Sequence, residues 1–179
     1  PQQAPLLTLA AGLAARDAVA EVTALPVDLR WPNDLLTGGR KFCGILTELQ
    51  AEAQRIHHVV VGIGVNVNHA KIPSELEKIA TSLRLAAGRP VSRLELLAHL
   101  LTAFDRTYNR LLEEGPAPLV ARFGEVSSYA RDKRVRVVAP REEFTGVTAG
   151  LDAMGSLLVR RDDGRLTPVL AGDVTEAEA

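Results

Sequence analysis

Cysteine is almost missing from this chain: Cys43 stands alone among 179 residues, which rules out an internal disulfide framework. An excess of either charge is missing too. The 21 Lys and Arg face 22 Asp and Glu, for a net charge of -1, so no global field draws nucleic acid or an anionic membrane. Any anion must be captured locally. No apolar run is long enough to span a bilayer and nothing resembles a secretory signal, which points to a cytoplasmic protein without membrane contact. The four histidines have no metal-ligand spacing: His57 and His58 suit the end of a turn or the entry to a strand, and His69 and His99 read as structural. No protein-held metal site is expected, and no internal repeat is found.

What is present is the composition of a chain that folds. Apolar residues make up 46% and charged ones 24%, enough to bury a real core in one ordinary domain with or without a small appendage. Leu6, Leu9, Leu13 and the alanines at 10, 14 and 18 recur at helical spacing, opposite Arg16, Asp17 and Glu21, predicting a helix over about residues 6–22. Val27, Leu29 and Trp31 alternate with Asp28 and Arg30, a short half-buried strand that Pro32 stops. Gly38-Gly39 signals a turn, after which residues 41–50 read as a second strand paired with the first. It carries Cys43, Ile45 and Leu49 on one face and Phe42 and Leu46 on the other, so both faces should be covered. The β-branched run over 56–67 suits a central strand at the core of the sheet.

Farther on, Ser74 with Glu77 and Ser92 with Glu95 match the S-x-x-E capping box and predict two helices, with Gly88 and Gly115 placed as C-caps. A shorter helical segment follows Pro118. Near Asp132 the character changes to short strands separated by Gly and Asp turns, and residues 133–175 look like a small separate β-barrel docked on the first domain. Residues 176–179 look frayed.

Two places could carry chemistry. Gly62 and Gly64 remove side chains from one face of the third strand, and Asn66, two residues on, shares that face. An amide with a donor and an acceptor would then stand at the end of a glycine-floored groove, able to read an adenine edge; alternatively the glycines make room for a neighbouring helix. A dinucleotide fingerprint is rejected, because G-x-G-x-x-G needs a third glycine where Val67 stands and no helix follows directly. Lys41 is the second candidate. It is either a solvated edge charge or a cation beside the bare backbone of Gly44, suited to a carboxylate and a phosphate. The hairpin would bring Asn33 and Asp34 near it, unless those two simply make an Asx turn after Pro32. Cys43 reads as a small core hydrophobe, with no nearby histidine to activate the thiol.

The stretch "RWPNDLLTGGRKFCGILTE" followed by "VVVGIGVNVN" resembles the central motifs of biotin-protein ligases: W-P-N-D, a short hairpin, K-x-x-G-I-L-x-E, then G-x-G-x-N-V. The likeness continues through "ATSL" at 80–83, the helix over 92–112 and a C-terminal barrel ending in a Gly-acidic pair, here Gly172-Asp173. It implies formation of biotinyl-adenylate from biotin and ATP with Mg²⁺, then transfer of biotin to a lysine of a carboxylase's biotin carboxyl carrier domain. It also implies roles. Lys41 would contact the biotin carboxylate and the adenylate phosphate, stabilising charge that accumulates as the α-phosphorus is attacked. Asn66 would read adenine, with Gly62 and Gly64 as the floor beside it. Gly44 would lie against biotin. Trp31 joins the substrate-binding set, and Asn33 and Asp34 would orient Lys41, the metal or the acceptor lysine, Asp34 being grouped with Lys41 as catalytic.

The chain departs from that pattern at Cys43, where the family usually has a small aliphatic residue. It also begins just ahead of the first helix, so the family's preceding strand and Gly-Arg-rich loop are not in it. A site made of these residues alone is expected to enclose biotin and the adenylate poorly. The family's DNA-binding winged helix is likewise not in the chain, so no DNA partner is expected. The run "ARDKRVRV", residues 130–137, is either a solvated charge run or a surface for an acidic carrier domain. The expected architecture is α/β, a mixed, mostly antiparallel sheet backed by helices over residues 1–130, followed by an SH3-like barrel over 131–179. Two other functions remain open: a lipoate- or octanoyl-transferring enzyme of the same fold, and a non-catalytic or split-ligase fragment whose bare sheet edge pairs with a partner chain or a second copy.

Overall fold

The computed structural model describes residues 4–52, 55–140 and 142–177. The apolar and alanine-rich N-terminal segment forms α1 (Ala4–Thr23), buried along Leu6, Leu9, Leu13 and Val19. It packs on the first sheet, on α3 (Arg93–Glu114) and on α4 (Pro116–Val126). Its polar stripe is divided: Glu21 is exposed, whereas Asp17 turns to neighbouring helices. Asp17 meets Arg16 at 3.2 Å, Arg122 of α4 at 2.5 Å and Arg106 of α3 at 3.6 Å, so one carboxylate draws the two outer helices onto α1.

The first sheet is antiparallel, in the order β1 (Asp28–Arg30), β2 (Asp34–Thr37), β3 (Arg40–Glu52), β4 (Arg55–Val65). The strand expected at 27–31 does not pair with the one expected at 41–50. A turn at Trp31-Pro32-Asn33, with a cis Trp31-Pro32 bond, doubles the chain back, and the buried four-residue strand β2 lies between them. A strand of four residues buried throughout shows no alternation, which is why the pattern missed it. The expected central strand is also corrected: among the described strands β4 is an edge, and Val60 is 50% exposed. Nor are both faces of β3 covered, since Leu46 is 62% exposed while Cys43 and Ile45 are buried.

The helix expected from Ser74 does not form. Residues 74–79 make tight turns, and Ala80 then forms a parallel bridge with Lys41: Lys41 N–H donates to Ile79 O at 2.8 Å and Thr81 N–H to Lys41 O at 2.9 Å. Tertiary pairing therefore overrides the capping signal, and the short α2 (Leu83–Ala87) starts at Ser82, whose hydroxyl accepts from Leu85 N–H at 3.1 Å. Ser92 caps α3 as expected, with Gly88 and Gly115 closing α2 and α3 at positive φ.

A second antiparallel sheet follows, in the order β8 (Leu166–Val169), β7 (Leu157–Arg161), β6 (Glu142–Leu151), β5 (Arg131–Ala139), β9 (Asp173–Glu176). Val135, Val137, Leu157 and Val159 supply its core. The end is less frayed than expected: Glu176 pairs with Val135 and Ala177 N–H reaches Arg134 O at 3.2 Å, while residues 178–179 lie outside the described residues. Three cations of the basic run are paired across strands, Arg134 with Asp162 at 2.5 Å, Arg136 with Glu143 at 2.8 Å and Lys133 with Glu176 at 2.8 Å. The Arg134 guanidinium, with the Thr145 hydroxyl adding to it, holds the Asp162 carboxyl below its usual range.

The two sheets meet at a corner. Trp31 Nε1–H donates to Gly155 O at 2.9 Å, and Ser128 binds both oxygens of Asp28. Gly155 has φ +81°, and a Cβ there would come within 2.6 Å of Leu9 Cδ1, whereas Gly124 in α4 has nothing closer than 3.8 Å. Gly155→Ala is therefore expected to cost about 2 kcal/mol or more, through strain and overpacking. Gly124→Ala should instead stabilise by up to about 1 kcal/mol. Urea unfolding of both variants checks the pair; equal effects would mean that the corner is not tightly packed.

Candidate functional site

The outer face of the first sheet is built from the register of three strands. Asp34 of β2 stands opposite Gly44 of β3, and Gly44 opposite Gly64 of β4; Gly62 faces Leu46 one step along. The β2–β3 pairing carries a bulge, since Leu35 faces Cys43 but Leu36 faces Lys41, leaving Phe42 unpaired. Simple alternation would turn Lys41 to the same side as Cys43. The extra residue reverses that: Phe42 and Cys43 both become buried, and Lys41 emerges on the side of Gly44. Phe42 accordingly does not share a face with Leu46, as alternation had implied.

The Lys41 ammonium forms an ion pair with Asp34 Oδ1, and its last two side-chain atoms both come within 3.3 Å of where a Gly44 Cβ would be. Asp34 is only 8% exposed, a poor place for a charge without partners. Its second oxygen is held by Arg30, which donates from Nη2 at 2.5 Å and from Nε at 3.2 Å. Oδ1 meets the Lys41 ammonium alone, so each oxygen of the carboxylate has its own cation. Arg30 was not singled out from the sequence; a basic residue four before the aspartate, directly opposite it across β1 and β2, was the available signal.

The remaining expected residues fall into two groups. Gly62 and Gly64 are exposed, and within 4 Å a Cβ at either would meet just one partner-strand carbonyl oxygen, at 3.6 Å and 3.8 Å. No described helix occupies the room they leave, which removes the packing explanation for them. Asn66 is tied to the same region, its Nδ2 donating to Thr81 O at 3.2 Å and its main-chain N–H to Phe42 O at 2.8 Å. Buried Thr81, which the sequence reading passed over except within "ATSL", thereby links Asn66 to Lys41.

Asn33 and Trp31 point elsewhere. Asn33 Nδ2 donates to Ile45 O at 2.8 Å while Ile45 N–H donates to Asn33 O at 2.9 Å, a two-way staple onto β3. Trp31 is buried and spent on the second sheet. Both border a groove of about 1160 Å³ between the sheets, walled by Leu46, Met154 and the Gly172-Asp173 pair, which does not include Lys41, Gly44 or Asn66.

Among the described residues, no three His, Cys, Asp or Glu side chains gather in a way that could hold a metal ion, and no helix is long and apolar enough to cross a membrane. Burial pushes the Cys43 thiol up to about 12, with the Asp34 carboxylate adding to the rise and Lys41 opposing it. The thiol is inert. Because its folded pKa lies above the unfolded 9.0, stability is unaffected below pH 9.0 and falls as the pH rises from there toward about 12. Unfolding free energies measured above pH 9.0 should decline less steeply in Cys43→Ala than in the parent. Equal slopes would show that this thiol does not titrate differently in the two states.

Residues 1–66 match the family described as "Biotin/lipoate A/B protein ligase family", and residues 132–175 match "Biotin protein ligase C terminal domain". The chain is 37% identical over 167 residues to the bifunctional ligase/repressor BirA of Bacillus subtilis, covering 91% of this chain and 50% of that protein, so it spans about half that relative's length. It is 33% identical over 171 residues to the biotin–[acetyl-CoA-carboxylase] ligase of Paracoccus denitrificans, covering 89% of this chain and 68% of that one. The biotin protein ligase of Aquifex aeolicus, solved in complex with biotin and ATP, superposes with a TM-score of 0.83 at 27% identity, covering 98% of this chain and 72% of that one. With the same order of motifs, the same fold and a relative matched over two thirds of its length, the chain belongs to the biotin protein ligase family.

Proposed function

We propose that the outer face of the first sheet is the adenylating site of a biotin protein ligase, with residues 1–130 as the catalytic unit and 131–179 as its C-terminal β domain. The observation that carries this reading is the unfilled glycine floor of Gly62 and Gly64 beside a lysine held in place by a buried aspartate. A carboxylate oxygen of biotin attacks the α-phosphorus of ATP; the bond to pyrophosphate breaks, and pyrophosphate leaves with its electrons. Lys41 offers its ammonium to the carboxylate and the phosphoryl oxygens, where negative charge gathers. Gly44 leaves the backbone bare beneath, and Asn66 stands at the far end of the floor, placed for the adenine.

In the second half-reaction the neutral amine of an acceptor lysine attacks the acyl carbon. The amide forms, AMP leaves, and the amine's proton passes to solvent. Asp34 orients Lys41 rather than acting as a base, because both its oxygens are already engaged. We infer that the acceptor belongs to a biotin carboxyl carrier domain, in line with the carboxylase in the name of the Paracoccus relative. Among the described residues no cluster of carboxylates fits Mg²⁺, and Asp34 at rest carries Arg30 on one oxygen and Lys41 on the other, so no step is routed through a protein-held metal. The match of residues 132–175 to a biotin-specific C-terminal domain favours biotin over lipoate.

Biotin-dependent exchange between ATP and pyrophosphate by the natural full-length protein tests the reading. Lys41→Ala should lower the exchange rate by about 10²-fold or more, the scale of losing one charge-stabilising donor. Unchanged exchange in that variant would remove Lys41 from the chemistry. Gly64→Ala offers an independent check, since its Cβ meets nothing closer than Gly44 O at 3.8 Å. Folding stability should hold or rise by up to about 1 kcal/mol, while calorimetric binding of ATP and biotin weakens. If both ligands still bind as in the parent, the glycine floor is not their seat.

A further inference from the structure

We infer that Arg30 is a positioning residue, the permanent counter-ion of Asp34 that lets Lys41 leave the carboxylate for an anionic substrate. This rests on the adenylation reading for its purpose, and on geometry for its substance. Three charges share one site: Arg30 and Lys41 carry two positive charges and Asp34 one negative, leaving one positive charge to offer. The two cations are not equivalent. Arg30 grips Oδ2 with two N–H groups, and its side chain is 22% exposed. Lys41 meets Oδ1 with its ammonium alone, is 42% exposed, and lies over Gly44, where no Cβ confines it. Of the two, Lys41 is the one free to swing.

A lysine that moves from a buried carboxylate to a substrate would normally strand that carboxylate without a partner. Arg30 removes that obstacle. It keeps Asp34 compensated whether Lys41 is docked or extended, and its fork holds Oδ1 aimed at the resting place of the ammonium. The carboxylate then acts as a weak parking site for the catalytic cation, and its grip on Lys41 is set by how much of its charge Arg30 already satisfies.

Two measurements on the full-length protein test this, with Arg30→Gln and Arg30→Lys beside the parent and Lys41→Ala. The first follows acetylation of Lys41 by an N-hydroxysuccinimide acetate ester, read by peptide mass spectrometry, and needs no turnover. Without the Arg30 charge, Lys41 is the remaining cation on Asp34, so Arg30→Gln should slow labelling about five- to ten-fold, while Arg30→Lys stays within about threefold of the parent because the charge is kept. The second is pyrophosphate exchange, where Arg30→Gln should lower kcat by about ten-fold or more with KM for biotin and ATP little changed, and Arg30→Lys should recover most of the loss.

A purely structural role would instead lower stability and raise both KM values, with no slowing of Lys41 labelling. That result, or an Arg30→Lys variant as slow as Lys41→Ala, would overturn the inference. If Arg30→Gln does not fold, Arg30→Lys decides by the same labelling and exchange limits. Slowed labelling in Arg30→Gln with an exchange rate that does not depend on Lys41 would uphold the positioning role and defeat the adenylation reading.

Discussion

A single carboxylate shared between two cations organises the first sheet. Asp34 sits at the head of β2 with little access to water, a position where a carboxylate needs close partners. Its partners come from the strands on either side, Arg30 from β1 and Lys41 from β3, and the charge group therefore ties three strands at one point. That geometry imposes two further requirements. The bulge at Phe42 must turn Lys41 to the outer face, and Gly44 must lack a side chain where the ammonium crosses to Asp34. The electrostatic pair, the irregular register and the bare glycine are one constraint seen from three residues.

The Trp-Pro-Asn-Asp corner divides its labour among structural tasks. Trp31 ties the end of β1 to the second sheet through Gly155 O, Asn33 staples the turn to Ile45 of β3, and Asp34 holds the cations. None of these groups needs a ligand to be satisfied. The residues left without such work are glycines 62 and 64, whose open side faces no described neighbour beyond the partner strand. Side chains thus build the frame and aim one charge, while backbone forms the surface against which a planar ligand can lie.

Much of this could be read from the sequence, and the failures share a cause. The helix α1, the Ser92 cap and the alternating strands of the second sheet follow local periodicity, which burial respects. The strand β2 was missed because four buried residues carry no period, and the Ser74 capping signal was overridden by main-chain bonds from Lys41, distant in sequence. The face of Phe42 was wrong because a bulge leaves no mark in alternation. At the site, residue types and spacing picked out Lys41, Asp34, Gly44 and the glycine floor. They did not reveal Arg30, whose role exists only across the β1–β2 pairing, or the commitment of Asn33 and Trp31 to main-chain carbonyls.

On the proposed adenylating reading, Lys41 and its surroundings also set a condition on catalysis. A cation whose side chain is 42% exposed acts through a dielectric close to that of water, where its attraction for a phosphoryl oxygen is a small fraction of its strength in a dry pocket. The glycine floor cannot exclude water, because it has no side chains to do so, and Leu46 and Val60 beside it are also exposed. The described residues therefore supply orientation and charge, while the exclusion of water that would make the charge effective must come from whatever covers this face, whether bound ligands or further polypeptide. A reactive acyl-adenylate held here would survive in proportion to that cover. On that reading, the cover and the placement of Lys41 are both needed before the charge can act on the acyl-adenylate.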